Sequence, residues 1–396
     1  MLRRGRGNGT PAKAEASSTA AGGGPRSMQG VRCAITGGSG FVGQRLVEMA
    51  LMRGAALVVS FDISPPPRYV AGGVDKGSEE AAWDNSDALA ALVAEAQADG
   101  RLVYVQGDIT KAEDVEGMLA PAAGGPRPVD IVYHVAALVG PFHPQQAYVR
   151  VNFEGTVNVI EACKRKGVPK IVMSSSPSTR FDPHNLDISG LREEQLMFPD
   201  EREPPRGFTA EYARTKAMGE RLLRAENGSK LYAKAGRGAD ELLTVAVAPH
   251  QVYGPRDGLF LPNLLNAAGT GKLRIFGAGE NMISMTHVDN YCHALLLAGA
   301  CLEPGSKVLG KFYIATDGGS FKFWRIIDEA VTVRRRALVG TRPARGGGGS
   351  RPCTDARPRR APRARRRWGT PPSGRRCTSR CSSSCSSRGC SRSSRR

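Results

Sequence analysis

The feature that most constrains the fold is a regular alternation of short apolar, β-branched segments with longer helical ones. Six such apolar segments occur between residues 31 and 249, beginning with VRCAIT (31–36) and LVVSFD (57–62). They are apolar at successive positions rather than at every second one, which is typical of strands buried on both faces of a parallel sheet. The alternation therefore predicts an α/β fold with a doubly wound, Rossmann-type parallel sheet.

The same pattern sets approximate bounds for each element. The proline triplet at 65–67 and a following glycine pair predict an irregular loop over 63–80. The predicted strands are 31–36, 57–62, 102–108, 130–137, 170–176 and 242–249, and the predicted helices are 41–53, 80–98, 111–119, 145–166 and 209–226.

Three evenly spaced glycines follow the first predicted strand. In CAITGGSGFVG, Gly37 permits a tight turn, Gly40 lets the backbone approach a pyrophosphate, and Gly43 lets the helix pack against the strand. Free N–H groups and the helix dipole at this point favour a negative charge. The turn is therefore predicted to bind a dinucleotide, with Phe41 and Val42 at the start of the helix in contact with it.

Two acidic residues follow the next two strands. Asp62 ends the second strand, 19 residues after Gly43, where a carboxylate accepts hydrogen bonds from the adenine ribose and repels a 2′-phosphate. This favours NAD over NADP, although Arg68, six residues further on, could soften the preference. Asp108 is placed to reach the adenine amino group, with Ile109 beside it.

The segment EYARTK carries the candidate chemistry. Tyr212 and Lys216 are four residues apart, so they share one face of a helix. An ammonium beside a phenol favours the phenolate and lowers the pKa of the tyrosine, which makes Tyr212 a candidate acid/base. Upstream, IVMSSS places Ser176 at the carboxyl end of the fifth strand, where ligands of open α/β sheets bind. A hydroxyl there could orient a substrate oxygen.

These motifs resemble the extended short-chain dehydrogenase/reductases. TGGSGFVG, GDIT, HVAA, VNFEGT, YARTK and THVDN stand in that family's order between residues 31 and about 330. Within it, the chain most resembles the 3β-hydroxysteroid dehydrogenases, and among these the sterol-4α-carboxylate 3-dehydrogenases (decarboxylating). The resemblance implies an NAD(P)-dependent oxidoreductase of sterol or steroid biosynthesis that oxidises a 3β-hydroxyl, with a 4α-carboxysterol as the decarboxylated substrate.

The resemblance also implies roles for individual residues. Tyr212 is the acid/base, Lys216 its partner and a ligand of the nicotinamide ribose, and Ser176 the hydroxyl that helps to bind the substrate oxygen. Asn152 is a structural or proton-relay residue, while His287 and Asp289 pack beneath the site. The residues predicted to bind the cofactor are Gly37, Gly40, Phe41, Val42, Gly43, Asp62, Asp108, Ile109, Ala136, Lys216, Pro249 and Val252.

Other functions remain open for the same scaffold. Nucleotide-sugar epimerases and dehydratases hold a diphosphate with charged lobe residues, whereas a sterol pocket needs an apolar lining, which GLFLPNLL (258–265) offers. Another small alcohol is a further alternative. A non-catalytic cofactor-binding protein would tend to lack the tyrosine and lysine, which are both present. The arginines that could hold a diphosphate are Arg180, Arg206, Arg256 and Arg274.

The basic charge is concentrated at the ends of the chain. The net charge is +19, but residues 334–396 carry 20 arginines and one acidic residue without apolar periodicity. Such composition predicts a disordered tail, and the Arg/Ala/Ser/Gly-rich segment 1–29 predicts a disordered leader that weakly resembles an organelle transit peptide. The mildly acidic body is not expected to bind nucleic acid.

Between these ends we expect an NAD-binding domain at 30–250, with a loop (180–208) over the site, and a smaller substrate lobe at 251–333 that also contains returning Rossmann elements. The family pattern continues beyond FKFWRIIDEA, so this lobe is predicted to be truncated. We expect no metal site and no transmembrane helix. Irregularly spaced cysteines in apolar contexts predict reduced thiols in an intracellular, cytoplasmic or endoplasmic-reticulum-associated protein. Peripheral membrane contact and a homodimer are compatible with the resemblance.

Overall fold

A seven-stranded parallel sheet forms the centre of the fold. The strands of the described residues are β1 (Arg32–Thr36), β2 (Leu57–Asp62), β3 (Leu102–Gln106), β4 (Ile131–His134), β5 (Lys170–Ser174), β6 (Leu243–Pro249), β7 (Gln251–Tyr253), β8 (Met282–Ile283), β9 (Met285–His287), β10 (Phe312–Ala315) and β11 (Phe321–Lys322). The central sheet has the order β10-β6-β5-β4-β1-β2-β3, and the other four strands form two small two-stranded sheets. The strand order reverses between β1 and β4, and ligands of open α/β sheets bind outside the carboxyl ends of the strands at such a point.

Helices cover both faces of this sheet. The α-helices are α1 (Phe41–Met52), α2 (Ser86–Ala98), α3 (Ala112–Leu119), α4 (Gln145–Tyr148), α5 (Gly155–Lys166), α6 (Glu211–Ala225), α7 (Leu261–Gly269), α8 (Val288–Ala300) and α9 (Phe323–Gly340). A π-helix (Val149–Glu154) continues from α4 into α5, and three short 3₁₀ helices (Pro177–Arg180, Glu193–Gln195, Pro199–Glu201) follow β5.

The computed structural model describes residues 28–69, 86–119, 129–140, 143–233, 240–275 and 277–340. The predicted disorder of residues 1–27 and 341–396 lies outside these ranges, as does most of the predicted loop at 63–80.

Two predicted boundaries need correction. Met28 is buried and its amide donates to the carbonyl of Arg53 (2.9 Å), so the fold begins before residue 30. Helix α9 runs to Gly340, beyond the predicted start of the tail at 334.

Successive residues of each strand face opposite layers, because side chains alternate across a strand. On β1, Cys33 and Ile35 pack with α1 and α8, whereas Ala34 belongs to the core formed with α3 and α5. Both faces of the sheet are therefore dry, which explains the continuous apolar runs of the sequence. Burial raises the pKa of the Cys33 thiol to about 12, so this cysteine is an inert core residue.

The predicted α/β fold class is confirmed, with two differences in detail. The predicted helix at 145–166 is three segments, since the π-helix separates α4 from α5. The predicted strand at 130–137 ends at His134, and the chain then leaves the sheet to line the site. In the part of the chain that the structure describes, no helix has both the length and the apolar composition to cross a membrane.

Candidate active site

A cavity of about 370 Å³ lies where the sequence places the chemistry. Ser176 follows the carboxyl end of β5, and Tyr212 and Lys216 enter the cavity from the first turns of α6. The three predicted catalytic residues therefore line one cavity. Its predicted cofactor-side residues, which also contribute to the wall, are Phe41, Val42, Pro249 and Val252.

Lys216 is almost completely buried beside the end of β5. Its Nζ donates a hydrogen bond to the carbonyl of Ser174 at 2.6 Å, and its side chain is 2 % exposed. Burial lowers the pKa of Lys216 to about 8, although the nearby carboxylate of Glu220 acts in the opposite direction. The ammonium is therefore poised to exchange a proton near neutral pH.

Tyr212 differs from the sequence-based expectation. Burial raises the pKa of its phenol, a hydrogen bond with Ser176 partly offsets this effect, and the neighbouring Tyr148 adds to it. The expected lowering of this pKa by Lys216 is wrong in this structure, because the lysine directs its hydrogen bond to the Ser174 carbonyl. The acid/base role of Tyr212 itself stays a prediction.

The serine-rich segment after β5 lines the cavity and alternates in its degree of burial. Ser174, Ser176 and Ser178 are half-buried, whereas Ser175, which is also part of the wall, and Thr179 are buried. The hydroxyls of Ser176 and Ser178 lie 2.8 Å apart, and Ser176 Oγ also accepts the amide of Ser178 at 3.3 Å. Two adjacent hydroxyls are thus presented to the cavity.

A buried ion pair holds this segment from behind. Arg180 Nη2 lies 2.5 Å from Glu220 Oε1, and the two side chains are 1 % and 0 % exposed. Ser175 Oγ donates to the other carboxylate oxygen of Glu220 at 2.7 Å. The guanidinium also lies over the rings of Phe198 (3.9 Å) and Phe312 (4.1 Å). Arg180 is therefore a structural cation beneath the site, not a ligand in it.

The other predicted diphosphate-binding arginines are also engaged with the protein. Arg206 pairs with Asp182 at 3.4 Å. Arg256 donates to both oxygens of the fully buried Glu48, at 2.5 and 2.8 Å. Arg274 donates to nearby backbone carbonyls. These contacts weigh against the predicted use of these arginines to bind a nucleotide diphosphate.

Asn152 holds one wall of the cavity. It is 1 % exposed within the π-helix, and its side chain accepts the amide of Leu138 at 2.7 Å and donates to the same residue's carbonyl at 3.1 Å. Its amide nitrogen also lies 3.4 Å from Thr215 Oγ1 on α6. Of the two roles predicted for Asn152, structural and proton-relay, these contacts fit the structural one.

A buried polar chain centred on His134 supports the same wall. Its Nδ1 lies 2.9 Å from Thr36 Oγ1 and its Nε2 3.0 Å from Thr156 Oγ1. Burial lowers the pKa of His134 to about 3, so the ring is neutral and each nitrogen has one role. Thr36 Oγ1 in turn accepts the amides of Val135 (3.1 Å) and Ala136 (3.2 Å). This chain holds Ala136, a predicted cofactor-lining residue, against the glycine turn.

The glycine turn has the shape of a dinucleotide cradle. Gly37 has φ 74°, and a Cβ at this position would lie 2.9 Å from the amide nitrogen of Ala136. A Cβ at Gly43 would overlap the carbonyl oxygen of Gly37. Gly40 precedes α1 and gives it no side-chain cap, so the amides of the first turn are open to an anionic group. The backbone therefore fits the pyrophosphate that the sequence predicted.

The two acidic residues predicted to bind the adenosine lie at the ends of β2 and β3. Asp62 accepts the amides of Ser39 (3.0 Å) and Ser64 (2.8 Å), one on each carboxylate oxygen. A carboxylate has about four acceptor sites, so Asp62 can still accept ribose hydroxyls. Asp108 Oδ1 accepts the amide of Thr110. The side chain of Ile109 is buried against α5 and does not line the cavity.

His287 and Asp289 lie at the start of α8. His287 Nδ1 accepts the amide of Asp289 at 3.3 Å and so caps the helix. Asp289 receives two hydrogen bonds from Arg45 of α1, at 2.5 and 3.0 Å. Both residues therefore join elements of the fold, in accord with the packing role predicted for them.

Sequence reasoning missed several residues that shape the cavity. Tyr148 packs against Tyr212, Tyr291 donates to Ser174 Oγ at 2.7 Å, and Ser178 pairs with Ser176. The order Ser-Pro at 176–177 matches an N-cap followed by proline at the first helical position, and it could have indicated a short helical turn that brings Ser178 close to Ser176. Tyr148 and Tyr291 carry no such local signal, since each meets its partner only through the tertiary fold.

The sequence matches the model of the 3-beta hydroxysteroid dehydrogenase/isomerase family over residues 34–333. It is 31% identical over 305 residues to the human sterol-4-alpha-carboxylate 3-dehydrogenase, decarboxylating, covering 77% of this chain and 67% of the relative. It is 31% identical to the Arabidopsis thaliana 3beta-hydroxysteroid-dehydrogenase/decarboxylase isoform 1, covering 75% and 60% of the two chains. The chain thus spans less than two thirds of the plant protein.

One bacterial relative is named as a reductase of an oxoalkanoate and not as a sterol dehydrogenase. The 2-alkyl-3-oxoalkanoate reductase of Stenotrophomonas maltophilia is 28% identical, with 74% of this chain and 73% of that protein covered. Among solved structures, a dTDP-glucose 4,6-dehydratase from Streptomyces venezuelae with NAD bound has a TM-score of 0.55 and 22% identity, covering 77% of this chain and 81% of that one. The structural similarity supports the fold alone.

Proposed function

This chain belongs to the 3-beta hydroxysteroid dehydrogenase/isomerase family, and from that premise we propose that it is an NAD-dependent dehydrogenase of a 3β-hydroxy-4α-carboxysterol, acting with decarboxylation in sterol biosynthesis. The single observation that carries the proposal is that Ser176, Tyr212 and Lys216 line one cavity together with Phe41 and Val42, the first residues after the glycine turn. Family membership confirms the predicted enzyme class, an oxidoreductase acting on a hydroxyl group.

The cofactor fits the residues that are present. Gly37, Gly40 and Gly43 would hold the pyrophosphate at the start of α1, and Asp62 would hold the adenine ribose. When bound there, NAD would supply the acceptor for the hydride from C3 of the substrate. The carboxylate of Asp62 disfavours the 2′-phosphate of NADP, because two negative charges would meet there.

The chain's own residues handle the oxygen and the proton. Ser176 Oγ donates to the substrate oxygen and holds it against Tyr212. Tyr212, as phenolate, accepts the hydroxyl proton while C3 becomes a carbonyl. Lys216, fixed through the Ser174 carbonyl at 2.6 Å, places its positive charge behind the reacting groups. Burial raises the pKa of Tyr212, so the phenolate forms at a higher pH than for a free tyrosine. The share of active phenolate therefore increases as the pH rises.

Decarboxylation needs no further catalyst. Oxidation at C3 produces a β-oxo acid, in which the bond between C4 and the carboxylate carbon can break. Its electron pair moves towards the C3 carbonyl oxygen, CO₂ leaves, and C4 takes up a proton. The names of the human relative and of the bacterial reductase both describe a carboxylate attached to the carbon next to an oxygenated one, which supports this substrate class.

The wall of the cavity suits an apolar body. Val139, Phe181, Leu259 and Phe260 contribute to it, and Leu259 is 65% exposed at the surface of the predicted lobe. An apolar wall beside a few convergent polar groups is the usual form of a small-molecule site. The predicted homodimer and peripheral membrane contact stay predictions.

The test is incubation of the full chain with NAD and a 4α-carboxy-3β-hydroxysterol, while NADH and CO₂ are followed together. We expect equal amounts of the two products. NADH without CO₂ would indicate a plain 3β-hydroxysteroid dehydrogenase. Turnover of UDP-glucose or dTDP-glucose with neither sterol product would move the protein to the nucleotide-sugar alternative and overturn the proposal.

A further inference from the structure

We propose that Ser178 is a specificity-determining residue whose hydroxyl binds the carboxylate carried by the carbon next to the one being oxidised. The ligand class is a β-hydroxy carboxylate. Ser176 binds the hydroxyl group of the ligand, and Ser178 binds the carboxylate group of the ligand. The inference rests on the proposed function and adds to it a residue that distinguishes carboxylated from uncarboxylated substrates.

The first argument is the spacing of the two hydroxyls. Ser176 Oγ and Ser178 Oγ lie 2.8 Å apart, and both residues line the cavity together with Tyr212. A β-hydroxy carboxylate carries its hydroxyl oxygen and its carboxylate oxygens on a three-carbon unit, so that they also lie within hydrogen-bond distance of each other. The hydroxyls of Ser176 and Ser178 can therefore face the hydroxyl oxygen and a carboxylate oxygen of the ligand, with one serine at each ligand oxygen.

The second argument is that the hydroxyl proton of Ser178 is available, whereas Ser176 also makes a hydrogen bond with Tyr212. A serine hydroxyl has one donor hydrogen and two acceptor lone pairs, and it rotates to suit its partner. Ser176 Oγ accepts the amide of Ser178 at 3.3 Å, which uses a lone pair and not its proton. The contact of Ser178 Oγ with Ser176 Oγ can therefore be exchanged for a hydrogen bond from Ser178 to the ligand carboxylate.

The third argument is that the segment is held rigidly. Thr179 Oγ1 donates to the carbonyl of Ser176 at 2.7 Å, and Ser175 Oγ donates to the buried carboxylate of Glu220 at 2.7 Å. Arg180 closes the segment through its buried pair with the same carboxylate. Groups that are already held in place lose little conformational freedom on binding, which favours affinity and discrimination.

The fourth argument concerns charge. Among the described residues of the cavity wall, the titratable side chains are Tyr212, Lys216, His250, Asp257 and Tyr291, and none is an arginine. Lys216 is directed at a backbone carbonyl, and burial lowers the pKa of His250. The Asp257 carboxylate accepts backbone amides of the following residues. A neutral hydroxyl binds the carboxylate without an ion pair, which leaves its charge free to move during loss of CO₂.

The test compares two substrates across three variants. The substrates are a 4α-carboxy-3β-hydroxysterol and the 4α-methyl-3β-hydroxysterol of the same skeleton, each followed by NADH formation with the full chain. Ser178→Ala removes the hydroxyl, Ser178→Thr retains one, and Ser189→Ala makes the same change at an exposed residue of the loop after β5. A free 2-alkyl-3-hydroxyalkanoate serves as a second carboxylated substrate.

We expect Ser178→Ala to raise KM for the carboxysterol by roughly tenfold, the usual loss for a hydrogen bond to a charged group, with KM for the methyl sterol unchanged. Ser178→Thr should restore most of the affinity, and Ser189→Ala should resemble the wild type. An equal loss on both sterols would show that Ser178 only positions Ser176, and no loss on either would show that it does not bind substrate. Both results overturn the inference.

The outcomes also separate this inference from the proposed function. If the wild type oxidises only the 2-alkyl-3-hydroxyalkanoate and Ser178→Ala loses that activity selectively, the sterol proposal fails and the role of Ser178 stands. If the wild type oxidises only the uncarboxylated sterol, or no carboxylated substrate at all, the inference on Ser178 is overturned.

Discussion

Tyr148 and Tyr212 meet edge to face, with ring centroids 6.5 Å apart and an interplanar angle of 68°. Tyr148 is 2 % exposed at the end of α4, and its hydroxyl donates to the carbonyl of Gly140. The ring of the candidate acid/base is therefore held by a second buried ring whose own position is fixed by the loop that lines the cavity. Aromatic pairs of this geometry are favourable beyond their buried area.

Tyr148→Ala should lower kcat by about tenfold and destabilise the fold by about 3 kcal/mol, because it removes the ring that orients Tyr212 and leaves a cavity. Tyr148→Phe keeps the ring and should retain most of the activity. The measurement is steady-state kinetics beside urea unfolding for both variants. Equal kcat in the alanine variant and the wild type would show that Tyr148 does not position Tyr212.

Tyr212→Phe should remove most of the activity while NAD affinity stays nearly intact, since only the proton-transferring oxygen is lost. In the wild type we expect kcat/KM for oxidation to increase with pH, because burial raises the pKa of Tyr212 and the phenolate is the active form. NAD titration by fluorescence and a pH–rate profile measure the two effects. Activity that survives in Tyr212→Phe would contradict the acid/base assignment.

The burial of Lys216 should make the free energy of unfolding depend on pH. Its pKa is lowered from 10.5 to about 8 in the folded protein, so the unfolded chain binds more protons between these values. The free energy of unfolding should therefore increase across this interval, by on the order of 2 kcal/mol. Urea unfolding at pH 7.5 and 10 should show this increase in the wild type and not in Lys216→Met. The same increase in both proteins would exclude Lys216 as its origin.

Asp62→Asn should reduce the preference for NAD over NADP by about tenfold, because it removes the negative charge that meets a 2′-phosphate. Asp62→Ala should relax the preference and also weaken NAD binding, since the carboxylate accepts the amide of Ser39 in the glycine turn at 3.0 Å. The ratio of kcat/KM for the two cofactors measures the effect. A wild-type protein that used both cofactors equally would refute the prediction.

Glu220→Gln should destabilise the protein by about 3 kcal/mol, since it leaves the buried charge of Arg180 without its partner. Glu226→Gln is the matched control on the end of the same helix, where a partly exposed pair with Lys164 (2.8 Å) is worth about 1 kcal/mol or less. Thermal unfolding of the two variants should separate them clearly. Similar melting temperatures would show that the Arg180 pair contributes little.

Local sequence patterns were sufficient for the sheet and for the residues that act near their own strand ends. Continuous apolar runs predicted β1 and β2 within one residue, because strands that are buried on both faces have apolar residues at successive positions. Gly37, Asp62, Ser176 and Tyr212 could be placed for a related reason. Their motifs occur where a strand ends or a helix begins, and the fold brings those points to one edge.

Only the tertiary structure decided which polar groups meet across long separations. The sequence does not indicate that Arg180 turns into the core to meet Glu220, since the same arginine in a loop could equally face a ligand. Nor does it indicate that Lys216 contacts a backbone carbonyl rather than the phenol of Tyr212. Such choices depend on burial and on partners 40 or more residues away, because the cost of a buried charge is set by what surrounds it and not by its neighbours in the chain.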